Sequence, residues 1–127
     1  MKPTVLLFHV NAKTTAAIRV RGQKLQFRTI VVPAGRCGHT IGNLLAGTAE
    51  DCPAAQPFDE EMLVMDLPGV LMDFFLQGLR RQKADVSLKA ALTPTNVDWT
   101  ADALCRELQR EREAFRAGKV ADHAEQP

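Results

Sequence analysis

Val86-Ser87-Leu88-Lys89-Ala90-Ala91-Leu92 runs directly into Thr93-Pro94-Thr95-Asn96-Val97-Asp98-Trp99. The first half is an apolar strand interrupted by one lysine. Alternation places Lys89 on the face opposite Leu88, Ala90 and Leu92. The second half is turn chemistry: proline presets a turn and asparagine hydrogen-bonds its own backbone. Asp98 or Thr100 then caps a helix, and Trp99 closes the sheet's end. Strand, turn and helix start therefore follow one another without a gap.

Outward from this stretch the same alternation repeats. Thr4 to Val10 is β-rich and nearly all apolar, as expected of a strand covered on both faces. Residues 12 to 21 carry Ala16, Ala17 and Val20 at helical spacing, with Gly22 as a stop. Leu25 to Val32 is a second strand, ended by Pro33-Ala34-Gly35. Thr40 caps a short helix with Ile41, Leu44 and Leu45. Thr48 to Glu60 is a polar loop, a surface excursion or a lid. Glu61 to Asp66 is a third strand. Pro68 then opens a helix with Val70, Leu71, Phe74, Phe75 and Leu79 on its apolar face. The last helix has Ala101, Leu104, Cys105, Leu108 and Phe115 as its stripe, with Asp102 and Arg106 as an i,i+4 pair.

The pattern is β-α-β-α-β-α-β-α. It predicts an α/β domain over 1–116 with about four mostly parallel strands, resembling half of a flavodoxin-like fold. Strand order 2-1-3-4 is expected, with an antiparallel second strand as the alternative. Residues 117–127 are expected to form a polar, disordered tail. No internal repeat is legible.

The chain has 127 residues, 46% hydrophobic and 24% charged, which is ordinary for one globular domain. Its formal net charge is +1, so no nucleic-acid partner is expected. The cysteines Cys37, Cys52 and Cys105 are odd in number and lack CxxC spacing. No secretory leader and no membrane span are expected. These features suit a reducing cytoplasm.

In an open parallel sheet, ligands bind beyond the strands' carboxyl ends. His9, Asn11, Asp66, Thr93, Thr95 and Asn96 are expected to converge there, with Lys89 and Trp99 beside them. His9 with Asp66 would make an acid–base pair. Cys37 with His39 would make a thiol and its base. The plainer accounts are a strand-end histidine, a capping aspartate and an ordinary loop thiol. A fully buried Lys89 would be costly. On an edge strand its stem lies along apolar surface and its charge reaches water. Gly35 to Gly42 precedes a helix and offers backbone N–H groups to an anion. No phosphate-loop or zinc spacing is present, so no metal or cofactor is expected.

Four segments together resemble a family of small bacterial proteins known only as a domain of unknown function. They are Thr4 to Val10, Thr40 to Leu45, the strand at Glu61, and above all Leu88-Lys-Ala-Ala-Leu-Thr-Pro-Thr-Asn-x-x-Trp99 before its helix. The resemblance runs from about Thr4 to Phe115. It implies one compact α/β domain and transfers no catalytic residue. The leading expectation is a non-enzymatic module binding a small ligand or a protein through the Lys89 to Trp99 edge. A small enzyme using His9 with Asp66 or Cys37 with His39 is the alternative, and a homodimer along an exposed edge or the last helix is a third possibility.

Overall fold

The computed structural model describes residues 2–125, with side chains for residues 2–118. Strands β1 (Thr4–Phe8), β2 (Arg28–Val32), β3 (Met62–Asp66) and β4 (Leu88–Ala91) form one sheet in the order β2-β1-β3-β4. Helices α1 (Ala12–Leu25), α2 (Ile41–Leu45), α3 (Gly69–Arg81) and α4 (Ala101–Glu125) alternate with them. Of the expected tail 117–127, residues 117–125 continue α4 and residues 126–127 lie outside the described residues.

The two central strands are buried along nearly their whole length, which explains their unbroken apolar sequence. Leu6, Phe8, Val64 and Leu88 meet Ile41, Leu44, Ala101 and Leu104 of α2 and α4 on one face. Val5, Leu7, Leu63 and Met65 meet Ile18, Phe75 and Leu79 of α1 and α3 on the other. The architecture is thus a sheet between two helical layers.

β2 is parallel to β1 and β4 is parallel to β3, but β3 runs antiparallel to β1. The sheet is therefore mixed, and the antiparallel step lies at its centre rather than at β2. The connections between the strands differ in kind. α1 and α3, with 14 and 13 residues, are long enough to carry the chain back to the far end of the sheet. α2 has only 5 residues, a rise of roughly 7.5 Å against roughly 16 Å for a strand. The loop that follows is held along α4, and the chain enters β3 from the end at which it left β2.

The result is two β-α-β-α halves related by an approximate twofold between β1 and β3, a repeat invisible in the sequence. The halves meet in a short antiparallel bridge between Thr40 and Thr100. Ile41 N donates to Trp99 O at 2.9 Å, and Ala101 N donates to His39 O at 3.0 Å. Leu44 and Leu104 occupy matching core positions.

Gly22 does not end α1. It is buried one turn after Ile18, and an added Cβ there would stand 3.0 Å from both Phe27 Cε1 and Phe27 O. Glycine at this position permits close helix–strand approach. The stop is Gln26, left-handed at φ 61. Phe27 N then closes the helix on Gly22 O at 3.0 Å. Leu25 consequently belongs to α1, not to β2. Lys83, at φ 54, performs the same service after α3, where Ala84 N reaches Leu79 O at 2.9 Å. Among the described residues no helix is long and apolar enough to cross a membrane.

Candidate functional site

Reversal of β3 divides the expected crevice. Thr4 pairs with Asp66 and Phe8 with Met62. His9, just past β1, and Asp66 therefore stand at opposite ends of the sheet, roughly 15 Å apart along the strands. His9 lies on one side of that division with Asn11. Asp66, Thr93, Thr95 and Asn96 lie on the other.

His9 leaves β1 in the left-handed region, φ 58, and sets its ring edge-on to Phe58 with centroids 5.0 Å apart. Asn11 caps α1, its Oδ1 accepting from Thr14 N at 2.8 Å. Its own N and Nδ2 donate to Glu61 Oε2 at 2.9 and 3.1 Å. Both residues thereby fasten the β1–α1 turn to the start of β3.

Asn96 is buried, 8% exposed, and every polar group of its side chain is matched. Leu88 N and Leu92 N donate to Glu61 O and Met65 O of the β3 side. The parallel ladder then turns the backbone groups of Ala91 and Thr93 away from β3. Asn96 Oδ1 accepts from Thr93 N at 2.9 Å, and Nδ2 donates to Ala91 O at 3.0 Å. The amide occupies the place where the next strand's peptide group would lie. Thr93 Oγ1 accepts from Asn96 N at 2.9 Å, locking the turn. Lys89 lies on this edge, as expected. Its Nζ reaches Asp85 Oδ1 at 2.7 Å and Val86 O at 3.0 Å, and it holds the Asp85 carboxyl below its ordinary range. Charge and amide together blunt the β4 edge.

Trp99 is half-buried and lines two clefts. One, of about 380 Å³, runs between β4 and α4 past Ala91, Thr93, Thr95, Leu104 and Leu108. The other, of about 460 Å³, lies between α4 and the loop at Ala55 and Gln56, with Asp102, Arg106 and Arg110 on its wall. Glu107 borders both.

Asp102 was not singled out as a site residue by its sequence position, yet it organises the second cleft. It is 6% exposed and accepts from Thr100 Oγ1, from Ala103 N at 3.0 Å and from Gln56 N at 3.0 Å. Burial opposes its ionisation, but these hydrogen bonds outweigh it and hold the carboxyl below the usual range. Asp102 does not pair with Arg106. Arg106 Nε instead donates to Gln56 Oε1 at 3.2 Å. Further along α4, Gln109 and Arg112 grip Glu60. The 48–60 loop is thus stitched along the helix. The sequence signal for this was the spacing of polar residues on α4 facing a loop too long to be unattached.

Cys37 and His39 are each engaged elsewhere. Cys37 is 2% exposed. Its Sγ faces Pro33 O at 3.8 Å, and burial, helped by the Asp102 charge, pushes its pKa up. His39 Nε2 bonds Glu50 O at 2.7 Å. In the glycine-rich segment the N–H groups of Arg36, Gly38 and His39 already donate to Pro33 O, Cys52 O and Arg36 O. Among the described residues no cluster of His, Cys, Asp and Glu is arranged to hold a metal ion.

The segment from Glu61 to Phe115 spans β3, α3, β4 and the first part of α4, and it contains the edge cap and Trp99. Residues 61–115 match the family described as a domain of unknown function, DUF3783. The DUF3783 match therefore falls on the second β-α-β-α half and includes the Lys89 to Trp99 stretch. Thr4 to Val10 and Thr40 to Leu45 lie outside it. No curated protein and no solved structure matches the chain.

Proposed function

We propose that the protein is a non-enzymatic binding module whose contact surface centres on Trp99 and receives a small ligand or a protein partner. The supporting observation is that one partly buried tryptophan lines two adjoining clefts. Tryptophan combines a large apolar face with a polar edge and recurs at the energetic centres of interfaces. Around it the chemistry is mixed: Arg106 and Arg110 on one side, Leu104 and Leu108 on the other, Glu107 between. Within the Lys89 to Trp99 edge, Trp99 is the residue left to meet a partner. Lys89 and Asn96 are occupied in closing the sheet edge. A reducing cytoplasm suits a chain whose three cysteines are free thiols.

Trp99 is the chain's only tryptophan, so its emission is a direct reporter. Titration with a library of small metabolites and short peptides should shift or quench that emission for any occupant of either cleft. Ala103→Leu, filling the exposed wall of one cleft, and Leu108→Glu, altering the other, should separate the two. A ligand that binds tightly while Trp99 emission stays unchanged, and whose affinity ignores both variants, would refute the reading.

A further inference from the structure

The two edges of the sheet are treated differently. At β4, Asn96 answers the outward groups of Ala91 and Thr93, and Lys89 stands guard beside them. β2 is the counterpart edge under the approximate twofold. Arg28 N donates inward to Pro3 O, so the N–H and C=O groups of Thr29 and Val31 point outward. Among the described residues no hydrogen bond reaches them. Past β2, Arg36 extends towards Asp51, with its Nε 3.8 Å from Asp51 Oδ1. Between Arg28 and Pro33 the strand carries no charge, and Val31 is 44% exposed. An edge of this kind is a template for another extended chain.

The surroundings of β2 specify the charge of that chain. A cleft of about 660 Å³ opens between α1 and the strand, bordered by Lys2, Arg19, Gln23, Gln26 and Thr29. Lys2, Arg19 and the exposed Arg28 have no ion-pair partner among the described residues. On the β4 side the corresponding cation, Lys89, is matched by Asp85. A second copy at β2 would set these cations against their own likeness.

We propose that β2 receives an extended acidic segment of a partner protein as a fifth strand. The partner's backbone would pair with Thr29 and Val31, and the carboxylates on its α1-facing side would meet Lys2 and Arg19 beside Thr29. This surface is separate from the one around Trp99.

The test uses the full chain, ¹⁵N-labelled, and a short fluorescent peptide alternating Glu and Val, with a Lys–Val peptide as control. The expected result is amide shifts and slowed exchange at Thr29 and Val31, with affinity falling as salt rises. Val31→Pro, which deletes an outward N–H, and Arg19→Glu should each weaken binding about tenfold. If Val31→Pro fails to fold, Val31→Glu sets a like charge against the acidic strand at an exposed position and should weaken binding likewise. The proposal is overturned if the Lys–Val peptide binds equally, if the shifts appear at Lys89 and Ala91 instead, or if inorganic phosphate alone reproduces them. Light scattering that reveals a dimer abolished by Val31→Glu overturns it too.

Discussion

Replacing Asn96 by alanine tests whether the Thr-Pro-Thr-Asn turn is a structural edge cap. The substitution removes two side-chain hydrogen bonds, to Thr93 N at 2.9 Å and to Ala91 O at 3.0 Å. Each contributes about 1 kcal/mol net. A sealed interior would add the full cost of stranding both groups. Ala91 and Thr93 are exposed residues, however, so water recovers part of that loss. The expected destabilisation is about 2 kcal/mol, a fall in Tm of roughly 8 °C for a domain of this size. Urea unfolding followed by circular dichroism measures it, and Trp99 emission gives a second probe within the same turn. Thr93→Val removes the reciprocal acceptor of Asn96 N and should cost about 1 kcal/mol alone. In the double variant the losses should fall short of additive, because both belong to one closed ring of bonds. A loss below about 0.5 kcal/mol for Asn96→Ala would refute the cap. It would return Asn96 to the list of residues kept for binding.

Three further outcomes follow from the same geometry. Gln26 and Lys83 hold left-handed conformations at exposed helix ends. Gln26→Gly and Lys83→Gly should each stabilise the protein by about 0.5–1 kcal/mol in thermal melts. Burial pushes the Cys37 thiol up and the Cys105 thiol to about 11, so a disulfide reagent at mild alkaline pH should label Cys52 first in native protein, and all three thiols only after unfolding. Glu60, bonded by Arg112, and Asp102, bonded despite its burial, have lowered pKa values when folded. Their stabilisation is complete above the ordinary values of 4.5 and 3.8 and is lost as pH falls through the lower folded ones. Tm should be level down to about pH 5 and drop below about pH 4, with a shallower acid limb in Asp102→Asn.

Much of the fold was legible because burial on both faces leaves an apolar record. Thr4 to Val10 and Glu61 to Asp66 read as strands, and Lys89 read as an edge residue. Strand direction was harder, since the local pattern of a strand is the same either way. The short helix at Ile41, Leu44 and Leu45 leaves the direction open, because the loop after it is long enough to run either way. An all-parallel sheet would bring His9 and Asp66 to one crevice, and the antiparallel β3 is what parts them. Gly22 misled for a different reason. Glycine marks both a helix stop and a close packing contact, and only the neighbouring Phe27 distinguishes them. Asp102 reads locally as the partner of Arg106, because its distant donor, Gln56, meets it only once the long loop has been laid along α4.

The antiparallel seam between β1 and β3 also bears on how this chain could be divided. Each half carries one central strand and one outer strand, and neither contains both sides of its own middle. Separated at the loop, the second half would present Met62 to Asp66 as a raw, apolar edge with its inward-facing groups unanswered. Since the missing neighbour is antiparallel and of the same topology, a second copy of that half would be a geometrically acceptable substitute. The joined chain therefore acts as a tethered pair, in which the connecting loop keeps the two halves at a local concentration that separate molecules would have to match by abundance.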